Sequence, residues 1–140
     1  MAEKTGKQQP KPKGPEAMAR LIREDGRYPL EAFEFLHDAL ETAAQKVHGD
    51  GPAEPGQRHV TGPQLCHSLR ELAIARWGPL AKTVLRRWHI RATLDFGHMV
   101  YLLVNHEFMQ KTTEDSLEDF RDVYDFDKAF RVKPEFKVKE

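Results

Sequence analysis

The stretch WGPLAKTVLRRWHIRATLDFGHMVYLLVN, residues 77–105, decides how the chain is read. Gly78–Pro79 stops any helix arriving at Trp77, because glycine frees the backbone and proline removes a donor. Leu80, Val84, Leu85 and Trp88 then recur at helical spacing, and the run ends around His89–Ile90. Thr93 is placed to cap the next helix, with Asp95 set favourably against its dipole. Phe96, Met99, Val100, Leu103 and Val104 form the cleanest apolar stripe in the sequence. Helices over 79–89 and 93–107, joined by a turn of about four residues, have the layout of a helix-turn-helix.

Toward the C-terminus the period changes. Phe108–Thr112 and Arg121–Tyr124 read as strands flanking the polar connection 113–119, in which Ser116 caps one helical turn. A strand pair there is a wing, so 79–126 reads as a winged helix-turn-helix. Asp125–Phe130 is a closing anchor whose aromatics return to the core. Toward the N-terminus, Thr61–Gly62–Pro63–Gln64 is a capping box that opens a helix over 61–77. His59–Val60 suits a single β bridge, and GDGPAEPGQR (49–58) is a loop. Pro29 suits the first turn of a helix over 30–48, whose stripe Leu30, Phe33, Leu36 or His37, Leu40, Ala44 and Val47 reads as fully buried. Met18, Leu21 and Ile22 make a short amphipathic run ending near Gly26.

The expected fold is mainly α with a small β component: a helical domain with a winged-helix-like C-terminal half. The alternative is a helical bundle with a C-terminal extension. Residues 16–130 form the single globular domain. Residues 1–15 are a disordered basic tail and 131–140 a flexible basic one, since neither has the apolar content to offset ordering entropy.

Composition bounds the function. The chain has 140 residues, 39% of them hydrophobic and 31% charged, which fits one ordinary domain. One cysteine excludes a disulfide framework and a multi-cysteine zinc site. No apolar run approaches the ~18–20 residues that span a bilayer, and MAEKTGKQQPKPKGP lacks the apolar centre of a signal peptide. A soluble cytoplasmic protein without membrane contact is expected.

Lys+Arg and Asp+Glu number 22 each, yet the zero net charge is a cancellation of blocks. The nets over 1–27, 28–57, 58–93, 94–130 and 131–140 are +3, −5, +6, −6 and +2. The basic block offers Arg70, Arg76, Lys82, Arg86, Arg87 and Arg91 as a candidate surface; the acidic one offers Glu114, Asp115, Glu118, Asp119, Asp122 and Asp125. The would-be recognition helix exposes Asp95, His98, Tyr101, Leu102, Asn105 and His106, with no Lys or Arg. Phosphate neutralisation dominates DNA affinity, so a helix and wing of this sign disfavour DNA reading. Trp77 and Trp88 lie on apolar stripes and read as core.

Catalytic and metal motifs are missing. There is no His-Glu-x-x-His, no Cys-x-x-Cys, no calcium loop, no phosphate loop and no Gly-x-Ser-x-Gly. Cys66, beside Leu65, reads as a small buried hydrophobe, and His37 and His67 as core-edge residues. Ser68 and Ser116 have no catalytic partner that spacing identifies. No metal, no cofactor and no catalytic residue are expected.

The strings HVTGPQLCHSLRELA (59–73), WGPLAKTVLRRW (77–88), TLDFGHMVYLLV (93–104) and KTTEDSLEDFRDVYDFDKAF (111–130) resemble the Minf family of small uncharacterised bacterial proteins. Roughly three quarters of the chain, Tyr28 to Phe130, shares the likeness. His89 and Glu107 stand where glycine is usual in that family, which implies that those turns are set differently here. The resemblance implies a domain boundary and no mechanism. It also groups Asp95, Phe96, Gly97, Asp115, Ser116, Asp119, Phe120, Tyr124, Asp125 and Phe126 as a shared design.

These readings point to a non-catalytic protein-interaction or regulatory module, with the acidic 114–127 stretch or the basic 70–91 face as its contact surface. Its partner is expected to be another protein; the sequence does not fix the oligomeric state. The alternative is a nucleic-acid-binding protein using the basic 70–91 face and the basic tails.

Overall fold

The computed structural model describes residues 14–49, 60–109 and 116–131, and these are mainly helical. The order is α1 (Pro15–Asp25), α2 (Leu30–His48), α3 (Gly62–Trp77), a 3-10 turn (Gly78–Leu80), α4 (Ala81–Arg87), α5 (Thr93–Asn105), a second 3-10 turn (Leu117–Phe120) and α6 (Phe126–Ala129).

Local chemistry sets the helix ends. At α3 the capping box forms as expected: Gln64 N donates to Thr61 Oγ1 at 3.2 Å and Thr61 N to Gln64 Oε1 at 2.9 Å. The turns after α4 and α5 form without glycine. His89 and Glu107 both hold φ 69, the left-handed conformation that glycine adopts freely. Behind them, Ile90 N donates to Leu85 O and His89 N to Arg86 O, both at 2.9 Å. Phe108 N and Glu107 N repeat the pattern onto Leu103 O and Val104 O. This paired arrangement satisfies the last carbonyls of each helix. A non-glycine residue there costs on the order of 1 kcal/mol.

One hydrophobic cluster runs from Ile22 in α1 to Phe130 after α6. α2 packs on α3, where Ser68 Oγ donates to the buried Ala39 carbonyl at 2.9 Å. Phe35 lies under both tryptophans, at 5.0 Å from Trp77 and 5.8 Å from Trp88 between ring centroids, so both indoles are packed against the core. A second aromatic group joins Phe96, Tyr124, Phe126 and Phe130. The closing anchor therefore returns to the core as the sequence suggests.

The 3-10 turn 117–120 is seated on two glycines. A Cβ on Gly97 would lie 2.9 Å from Leu117 Cδ1 and from Phe120 Cβ and Cγ. On Gly62 it would lie 3.2 Å from Phe120 Cε1. The ring of Phe120 fills the space those residues leave open. Thr93, expected to cap α5, has another task. The cap position is Ala92, whose N–H, with that of Arg91, is taken by the Asp95 carboxylate at 3.1 and 2.9 Å. The buried Thr93 hydroxyl instead donates to Phe120 O at 2.6 Å and accepts from Val123 N at 3.1 Å.

Among the described residues there is no strand, so the small β component and the wing do not appear. Residues 121–124, read as a strand, form a turn and bend in which Asp122 takes φ 53 and Val123 N–H goes to Thr93 rather than to a ladder. Phe108 and Met109 lie in a bend after α5, and Val60 makes no bridge. Residues 110–112 and His59 lie outside the described residues, as do 1–13 and 132–140 of the expected tails.

Candidate functional site

Much of the basic block is engaged inside the molecule. Arg70 Nε donates to the Ala129 carbonyl at 2.8 Å, Arg76 pairs with Asp38 at 2.8 Å, and Lys82 pairs with Asp127. Lys82 beside it holds the Asp127 carboxyl below its usual range. Arg86, Arg87 and Arg91 remain exposed. Lys82, Arg86 and Arg91 share a cavity of about 320 Å³ with Asp125 and Asp127, so the basic and acidic blocks face each other there.

Two of the candidate acidic residues cap the starts of helical turns. Asp119 accepts from Ser116 N at 3.0 Å, and Asp125 accepts from Lys128 N at 3.1 Å to cap α6. Glu118 pairs with Arg121 at 2.7 Å, which lowers its carboxyl pKa. Asp122 is exposed in its left-handed turn. Glu114 and Asp115 lie outside the described residues. Helix-end bonding accounts for Asp119 and Asp125 in this segment.

The histidines are not where the stripes suggest. His37 and His67 are both exposed; His37 reaches Glu41 at 3.4 Å, and the His67 ring stands 5.6 Å from that of Tyr124. Cys66 is fully buried, and desolvation pushes its thiol up to about 12, so it stays protonated and unreactive at neutral pH. Among the described residues no group of three His, Cys, Asp or Glu side chains is arranged to hold a metal ion. No helix there is long and apolar enough to cross a membrane.

The feature sequence reasoning missed is a groove. It lies between α1, α2 and the end of α5, has a volume of about 390 Å³, and is lined by Met18, Phe33, Leu40, Leu103, Phe108 and Met109. Leu30 at its edge is 42% exposed, which is unusual for a leucine on the apolar stripe of a packed helix. Glu34 and Asp38 form part of the wall. Glu31, Glu34, Asp38 and Glu41 follow one another at steps of three and four, so they make one acidic stripe along α2.

The chain matches no family model, no curated protein and no solved structure.

Proposed function

We propose that the protein is a non-catalytic interaction module whose α2 groove takes a basic amphipathic segment of another protein. The observation that carries this reading is an apolar trough with the unpaired Glu34 in its wall and Glu31 one turn away; Asp38, also in the wall, is already paired with Arg76. An amphipathic helix presents apolar residues at three- and four-residue spacing, and lysines or arginines beside them complement the two glutamates. Methionines in the lining, Met18 and Met109, adapt to different side chains. Glu31 and Glu34 have no ion-pair partner among the described residues, which leaves their charge for a ligand. The candidate basic and acidic surfaces supply less, because Arg70, Arg76, Lys82, Asp119, Asp125 and Asp127 already serve intramolecular contacts. Those same contacts remove much of the cation supply that nucleic-acid binding through the 70–91 face requires. The reading needs no wing.

The test uses a synthetic helical peptide of leucine and lysine at amphipathic spacing, and a second with glutamate for every lysine. The basic peptide is expected to bind the full chain, and the acidic one is not. Leu30→Glu is expected to weaken binding at least about tenfold, a loss of ~1.4 kcal/mol, while the circular dichroism stays unchanged because Leu30 is largely exposed. Equal binding of both peptides, or of neither, contradicts the proposal. If Lys133→Glu, Lys137→Glu and Lys139→Glu together tighten peptide binding, the occupant is the chain's own basic C-terminal segment.

A further inference from the structure

A second concavity, of about 450 Å³, lies between α1, the turn before α2 and the end of α4. Its charged and polar wall is Arg23, Arg27, Tyr28, Arg87 and His89, and no carboxylate lines it. The cations come from three places in the sequence: Arg23 from α1, Arg27 from the turn, and Arg87 from the basic block, with the His89 ring two residues on. Arg23 and Arg87 are exposed and have no ion-pair partner among the described residues. Arg27 is held from behind: Asp25 accepts from its Nε at 3.1 Å and its Nη2 at 3.3 Å. That grip engages Nε and Nη2 and leaves Nη1 without a hydrogen-bond partner among the described residues. The neighbouring Asp95 is already committed, accepting from Tyr28 Oη at 2.6 Å and from the amides of Arg91 and Ala92. Its charge, with that of Asp25, still acts on Arg27, so the unopposed cations of the pocket are Arg23 and Arg87.

We propose that this pocket binds a phosphate monoester carried on an apolar or planar body. Arg23 and Arg87, unpaired among the described residues, with Arg27 beside them already gripped by Asp25, offer the donors that a phosphate dianion takes. Ala19, Pro29 and Leu30 give the opposite wall an apolar surface for the body of the ligand. The volume falls within the ~300–1,000 Å³ of small-molecule sites. His89 adds an imidazole to this wall from a backbone position at φ 69, where glycine is the more stable residue. The sequence thus gives up stability at a point where the side chain lines the pocket.

The probes are adenosine monophosphate, inorganic phosphate, and single-stranded oligonucleotides with and without a 5′-phosphate, each titrated calorimetrically into the full chain at low salt. Adenosine monophosphate is expected to bind and to be displaced by inorganic phosphate. Arg27→Gln and Arg87→Gln are each expected to weaken it at least about tenfold. His89→Gly is expected to raise the melting temperature by a few degrees while weakening the nucleotide, a split that a purely structural histidine does not produce. Tighter binding of the 5′-phosphorylated oligonucleotide than of the mononucleotide assigns the phosphate to a nucleic-acid end. Three results overturn the proposal: equal binding of both oligonucleotides, unchanged affinity in the arginine variants, or no nucleotide binding at millimolar concentration. None of them measures peptide binding in the α2 groove, although Ala19 and Leu30 line both concavities.

Discussion

Gly97→Ala is expected to destabilise the protein by about 2 kcal/mol, although alanine is the better helix former by ~1 kcal/mol. The added methyl would stand 2.9 Å from Phe120 Cβ and Cγ, which are anchored to backbone and not to the far end of a flexible chain. Phe120 has nowhere to retreat. Its ring edge already meets Gly62, and its carbonyl is held by Thr93. The check is equilibrium urea unfolding: the midpoint falls while the slope stays unchanged. A stabilised variant would mean that the 117–120 turn yields easily and that helix propensity decides the outcome.

Thr93→Val is expected to cost about 2–4 kcal/mol with little change in packing volume. The hydroxyl serves two partners at once, the Phe120 carbonyl and the Val123 amide. Valine keeps the shape and leaves both without a partner in an interior where an unsatisfied polar group costs ~1–3 kcal/mol. Thr93→Ser keeps the hydroxyl and should lose only about 1 kcal/mol for the missing methyl. Thermal or urea unfolding of the two variants separates hydrogen bonding from packing. Equal losses in both would mean that the methyl matters and the hydroxyl does not. Combined with Gly97→Ala, the Thr93→Val loss should be less than additive, because both changes release the same turn.

These two positions also show what was legible in the sequence. Thr93 announces itself as a helix cap, since threonine before an apolar stripe with an acid two residues on is the ordinary sign of one. The tertiary partner changes its role: a buried carbonyl from the 117–120 turn claims the hydroxyl, and Asp95 takes over the helix end. Asp95 in turn holds Tyr28, some 67 residues away in sequence, which no local pattern foreshadows. The helices over 30–48 and 61–77 were legible because their stripes and stops are local. The strand at 121–124 was misread because Val123–Tyr124 between charged residues imitates alternation. Its amide bond and the positive φ of Asp122 come from docking onto α5.

The site was legible only in part. The charge blocks at 58–93 and 94–130 are visible in the sequence, and so is their opposite sign. That Lys82 meets Asp127, and that Asp119 and Asp125 cap the starts of helical turns, depends on where the C-terminal segment folds back. The α2 stripe was read as wholly buried. The apolar residues are there, yet α1 and α5 cover only part of them and leave the groove. A period of 3.6 says which residues share a face and nothing about whether a neighbour covers it.

The most direct test is a heteronuclear NMR titration of the full chain with the leucine–lysine peptide, following backbone amides and methionine methyl groups. Shifts concentrated at Met18, Leu30, Phe33, Leu40, Leu103 and Met109, and lost in Leu30→Glu, are the predicted result. Shifts confined to the exposed arginines of α4, or no shifts at millimolar peptide, would contradict the groove as the working surface of this protein.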